Sequence, residues 1–196
     1  MERDLYDTSI TYSETGQLFR LLRIHSNRLH LSVVKCDDKL NEVLCSHLSS
    51  LQVFELDVSY CNEHSEKLLM SALRTATLSS VALLAKWPLN VVRFAEDKFI
   101  NQELPFVNLP DNNVSNDFFE RFFTNLSEKA NKKHTYMMLR SDFDLDYVRS
   151  FREQLQMKFD PSHPDEINWK MGDFLISVDP HRCKVQEYSE EFVEEV

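Results

Sequence analysis

The sequence predicts an α/β fold, a short curved solenoid of about five strand–helix units, with an N-terminal helical cap and a C-terminal β-hairpin. Three observations carry this expectation. A strand-like pattern of nine residues recurs along the chain, its last positions falling at 36, 61, 86, 112 and 141. Each copy is followed by apolar residues at helical spacing. Glycine is almost absent, with only Gly16 and Gly172. Phosphate-binding loops, dinucleotide fingerprints and nucleophile elbows all need clustered glycines, so none of them can be built here.

The elements follow in order. Leu18, Leu21, Leu22 and Ile24 predict a cap helix over 14–27. The repeats occupy 28–160. The first strand reads RLHLSVVKC and the second VFELDVSYC, each with apolar residues at positions four and six and Cys at nine. LSSVALLAK, LPFVNLPDN and KHTYMMLRS supply the next three, the last with Tyr136 and Met138 turned inward. After an Asp37-Asp38 start, Leu40, Val43, Leu44 and Leu48 mark a first helix. Leu68, Leu69, Ala72 and Leu73 mark a second after Asn62, a favourable N-cap type. Pro88 disfavours helix at Trp87, so only a short helix with Val92, Ala95 and Phe99 is expected third. Phe119, Phe122, Phe123, Leu126 and Ala130 define the fourth. Leu145, Val148, Phe151, Leu155 and Phe159 define a longer fifth. Strands flanking Asp179-Pro180-His181 predict a closing hairpin within 165–189, followed by an acidic tail over 190–196. All of this reads as one domain over 1–196.

The strand pattern is that of leucine-rich repeats, L-x-x-L-x-L-x-x-N/C. A single strand–helix unit cannot bury its own apolar face, and stacked units can. QLFRLLRIHSNRLHLSVVKC, LSSLQVFELDV and WKMGDFLISVDPHRCKVQEY resemble nematode F-box-associated domains of the FTH type, over roughly 14–189. The resemblance implies a non-enzymatic domain that recruits proteins to a cullin-type ubiquitin ligase. Residues 1–15 are too few for an F-box, so the resemblance is to the associated domain alone.

Charge and cysteine usage narrow the expected partners. The formal net charge is −10, and no Lys/Arg run exceeds Lys132-Lys133. A chain of this charge repels phosphate backbones, so a nucleic-acid partner is not expected. No stretch approaches the roughly 18 apolar residues of a membrane span. Four cysteines without a C-x-x-C pair, and a polar N-terminus without a signal segment, favour a cytoplasmic or nuclear location.

Several residues invite chemical readings. Cys36 and Cys61 occupy ladder positions where a small side chain turns inward. Asn112, at the same place, is expected to satisfy buried backbone groups. Asp142, Asp144 and Asp146 alternate after the fifth strand. An EF-hand loop starting at Asp142 has Tyr147 where glycine is required. A metal-dependent phosphohydrolase with Asp142 as nucleophile and Asp144 as acid/base is the alternative function. Against both stands a helix N-terminus enriched in acids. His163, His181 and Cys183 lack the spacing of a tetrahedral metal site. In Phe118–Phe123, Phe118 is surplus to a helical core stripe.

The expected function is that of a non-enzymatic protein–protein interaction module without cofactor or metal. On the concave face the third column is His30, Glu55, Ser80, Phe106 and Thr135. The fifth is Ser32, Asp57, Ala82, Asn108 and Met137, and the eighth is Lys35, Tyr60, Ala85, Asp111 and Arg140. The expected partner-binding residues are His30, Glu55, Asp57, Tyr60, Phe106, Asn108 and Arg140.

Overall fold

The computed structural model describes residues 29–34, 37–48, 53–75, 78–128, 136–150, 157–158, 166–171 and 174–187. The expected cap helix, Cys36, Lys35, Thr135, His163 and the acidic tail lie outside them. Five strands alternate with helices: β1 (Leu29–Val33), α1 (Asp38–Leu48), β2 (Val53–Ser59), α2 (Glu63–Thr75), β3 (Ser80–Leu84), α3 (Leu89–Ile100), β4 (Phe106–Asn108), α4 (Phe118–Glu128), β5 (Tyr136–Arg140) and α5 (Leu145–Ser150). Four more strands follow: β6 (Met157–Lys158), β7 (Ile167–Met171), β8 (Phe174–Asp179) and β9 (Arg182–Glu187). All nine form one sheet in the order β1-β2-β3-β4-β5-β9-β8-β7-β6. β1 to β5 pair in parallel, and each crossover between them contains a helix, as parallel neighbours require.

The rest of the sheet is antiparallel, so it is mixed rather than one run of repeats. The predicted hairpin is β8–β9, turning at Pro180-His181. It is β9 that pairs with β5, and β7 and β6 extend the sheet beyond β8, two strands that the sequence reading lacked. The longer fifth helix is a further correction. Met157–Lys158 pairs with Asn168 and Trp169 as a strand, so the helix of Leu145–Ser150 does not run on unbroken through these two residues, and Phe151, Leu155 and Phe159 lie outside the described residues. Here the pairing of backbone groups at a sheet edge overrides an apolar period of 3.6.

The register explains why the repeat was legible. Leu31, Leu56, Val81 and Val107 lie side by side across four strands, as do His30, Glu55, Ser80 and Phe106. Position one of the pattern is three residues from position four, an odd number. In a regular strand those two side chains would point to opposite faces. The register shifts between Leu29 and His30 opposite Val53 and Glu55, which leaves Phe54 as an extra residue. This bulge lets Val53 and Leu56 both be buried.

The fifth unit is shifted from its expected register by an odd number of residues. Val107 pairs with Leu139 rather than with Tyr136, so inside and outside are exchanged. Met137 and Leu139 are buried, whereas Tyr136 is exposed and Met138 half-buried. Met137 therefore leaves the predicted binding column, and Arg140 takes the place beside Asn108.

One face of the strands packs with the helices into a single apolar cluster. Leu56, Val58, Val81, Leu83, Val107 and Leu139 meet Leu68, Leu69, Val92, Ala95 and Phe99 there. Phe118 is fully buried, with its ring 5.6 Å from Phe122 and 6.5 Å from Phe143. Its surplus in the helical stripe is taken up by the turn after β5, which carries Phe143. α3 is longer than expected: Pro88 stands at its N-cap, with φ −56° and ψ 139°, and twelve helical residues follow.

Polar side chains bridge the seams between units. The Asn112 side chain accepts from Trp87 N–H at 2.7 Å. Its Nδ2 donates to the carbonyls of Leu83 at 3.1 Å and Ala85 at 2.8 Å. The Cys61 thiol reaches back to the Val34 carbonyl at 3.1 Å, although Cys61 is exposed rather than turned inward. The Ser141 hydroxyl donates to the Asn112 carbonyl at 2.8 Å. Between α3 and α4, Glu96 is fully buried and accepts from Ser115 N–H at 2.6 Å and from the Ser115 hydroxyl at 2.5 Å. Arg121 pairs with Glu96 and Asp97. Burial pushes the Asp117 carboxyl up, but the Ser115 hydrogen bond and the charges of Arg121 and Arg93 outweigh it. Asp117 is therefore held below the usual carboxylate value.

Candidate functional site

The face of the sheet opposite the helices carries a depression of about 380 Å³. No described element covers it. Alternation places Glu55 and Asp57 from β2, Ser80 and Ala82 from β3, Phe106 and Asn108 from β4, and Met138 and Arg140 from β5 along it. Phe54, the extra residue of the β2 bulge, adds an aromatic rim. Five of the seven expected binding residues thus come together: Glu55, Asp57, Phe106, Asn108 and Arg140.

His30 flanks this group from β1. Its Nε2 lies 2.9 Å from an Asp57 carboxylate oxygen, and its Nδ1 is 4.0 Å from Glu55. Tyr60 lies apart, past the end of β2. Its ring packs 5.1 Å from that of Trp87 and against the apolar core, so it acts partly as a structural residue. On the open face the Phe106 ring lies 6.0 Å from Tyr136, whose hydroxyl reaches the Met138 sulfur at 3.9 Å. Tyr136 was missed because the fifth strand was read in the wrong register.

The depression is mixed in character. Glu55 and Asp57 give one end negative charge. Phe106, Ala82, Leu84 and Met138 form an apolar floor, and Arg140 gives positive charge at the other end. Among the described residues no group of three or more His, Cys, Asp or Glu is placed to hold a metal ion.

The aspartates after β5 sit elsewhere, beside a second depression of about 430 Å³ with Ser115, Phe119 and Tyr147. Asp144 accepts from the N–H groups of Asp146 at 3.0 Å and Tyr147 at 3.3 Å, capping α5. Asp142 is exposed and meets His181 Nδ1 at 3.2 Å. Cys183 is fully buried on the opposite side of β9 from Arg182, and burial pushes its thiol far up. His181 and Cys183 therefore do not converge.

No protein-family model matches the chain, and no curated protein or solved structure gives a significant match. No helix among the described residues is long and apolar enough to cross a membrane.

Proposed function

We propose that the chain is a non-enzymatic protein-interaction module that binds its partner on the open face of the sheet. The carrying observation is the convergence of Glu55, Asp57, Phe106, Asn108 and Arg140 around one depression that no described element covers, with charge at both ends and an aromatic anchor between. Such a mixture suits a protein surface, where aromatic and arginine side chains carry most of the binding energy.

The parallel pairing of β1 to β5, in the repeat's register from β1 to β4, and the Asn112 seam support reading β1 to β5 as a short, curved, leucine-rich-repeat-like solenoid. The resemblance to F-box-associated domains supports a role in recruiting substrates to a ubiquitin ligase. Unpaired thiols at Cys45, Cys61 and Cys183 support a reducing cytoplasmic or nuclear setting.

Affinity purification of the full chain, beside Phe106→Ala, tests the proposal. The expected result is a partner captured by the wild type and depleted at least tenfold with Phe106→Ala at unchanged thermal stability. A ligase adaptor among the captured proteins would support the recruiting role. Equal capture by both forms would refute the surface.

A further inference from the structure

The charges on the open face are ordered along the sheet, and that order specifies a ligand. Two rows cross the strands. One runs Asp57, Ala82, Asn108, Arg140 and on to Arg182 of β9. The other runs Glu55, Ser80, Phe106, Met138 and on to Lys184. The antiparallel hairpin thus continues the face begun by the parallel strands. Cys183 and Val185 point into the core, which leaves Arg182 and Lys184 on the open side.

Both rows are negative on β2 and uncharged on β3 and β4; the first turns positive at Arg140 on β5 and Arg182 on β9, the second at Lys184 on β9. Among the described residues, one of the three cations at the positive end is paired with a carboxylate. Arg182 pairs with Asp179, but among the described residues no carboxylate pairs with Arg140 or Lys184. At the negative end two carboxylates face one imidazole.

We infer that this face selects an extended segment of a partner protein with a basic residue and, about four residues along, an acidic one, and an apolar side chain between. The inference rests on the interaction-module reading and deepens it. The spacing follows from geometry. From β2 to β5 is three strand separations of about 4.8 Å, or roughly 14 Å. An extended chain advances about 3.3 Å per residue, so about four residues bridge that distance. The basic residue sits over Glu55 and Asp57, the acidic one over Arg140 and Lys184. The apolar side chain rests against Phe106 and Met138. Charge order also fixes the direction in which the segment crosses the strands.

Peptide display with a random dodecapeptide library on the immobilised full chain tests this. The expected outcome is enrichment of Lys or Arg and Asp or Glu four positions apart. A synthetic peptide carrying the enriched sequence should lose at least tenfold in affinity, by fluorescence anisotropy, on Arg140→Glu. Changing its acidic residue to lysine should restore binding to that variant. Arg140→Gln and Lys184→Gln, milder changes at the same positions, replace the reversal if it does not fold. Enriched peptides that lack the charge pair yet are lost on Phe106→Ala would overturn the charge inference and leave the binding face standing. Failure to enrich any peptide, or binding insensitive to every open-face substitution, would overturn both.

Discussion

Replacing Asn112 by alanine removes three hydrogen bonds from a site that is only 8% exposed. The side chain joins the turn after β3 to the turn after β4, accepting from Trp87 N–H and donating to the carbonyls of Leu83 and Ala85. Alanine is too short to replace any of these bonds. A buried donor or acceptor left unsatisfied costs about 1–3 kcal/mol, more for an N–H than for a carbonyl with a second lone pair. About 2 kcal/mol for the N–H and about 1 for each carbonyl gives about 4 kcal/mol. In a chain of this size that lowers the melting temperature by roughly 10 °C. Asn112→Asp keeps the acceptor but loses both donors and sets a carboxylate against two carbonyls, so it should cost at least as much. Urea unfolding followed by tryptophan fluorescence and far-ultraviolet circular dichroism measures the loss as a fall in midpoint at constant slope. The exposed neighbour Asn113→Ala is the control, with an expected change within about 0.5 kcal/mol. A loss below about 1 kcal/mol for Asn112→Ala would refute the seam as a stabilising element.

Two further predictions concern the turns and the helix layer. Ala85 adopts φ 63°, in the left-handed region where a Cβ is strained. Ala85→Gly should raise stability by about 0.5–1 kcal/mol, relief of strain outweighing the entropy glycine adds to the unfolded chain; a loss of stability in the same urea experiment would contradict this. Asp117 titrates below its ordinary value in the folded chain, so the unfolded chain takes up the proton first as pH falls. Its contribution is complete above the unfolded pKa of about 3.9 and disappears as pH drops through the lower folded value. Asp117→Asn should therefore flatten the acid limb of the urea midpoint below about pH 4, and an unchanged limb would count against it.

The parallel half of the fold was legible because the repeat dictates both burial and register. Position four must be buried in every unit, so four strands could be aligned before any coordinates. The fifth strand failed for a local reason: Lys133 to Ser141 contains Tyr136, Met137, Met138 and Leu139 in a row. A run of four apolar residues has no alternation, and nothing in it selects one face. Pairing with β9 settles the choice, since Leu139 lies opposite Cys183 and Met137 opposite Val185. β6 was invisible for a related reason, because a two-residue strand has no period to detect, and β7, Ile167 to Met171, is a short strand with only five residues in which to show one. Within the candidate site, Glu55, Asp57, Phe106 and Asn108 followed from the repeat. Arg140 was named from the wrong column, and Lys184 needed the antiparallel junction. Glu96 was missed altogether. A glutamate in an amphipathic helix reads as solvated unless its partners, Ser115 and Arg121 from the next unit, are known.

The scarcity of glycine is met partly by those same contacts between units. Among the described residues, the positive φ values of residues other than glycine fall at Ala85 and Gln102. At Ala85 both backbone groups are held by the following turn. Its N–H donates to Asp111 at 2.9 Å, and its carbonyl accepts from Asn112. A glycine would adopt this conformation on its own, whereas alanine needs the neighbouring unit to hold it there. Strain of about 1–2 kcal/mol in one turn is thus offset by hydrogen bonds from the next. The turn after β3 then becomes stable only when the turn after β4 is docked. Since β3 and β4 carry the uncharged middle of the open face, the coupling that closes the turns also keeps its charged ends at a fixed separation.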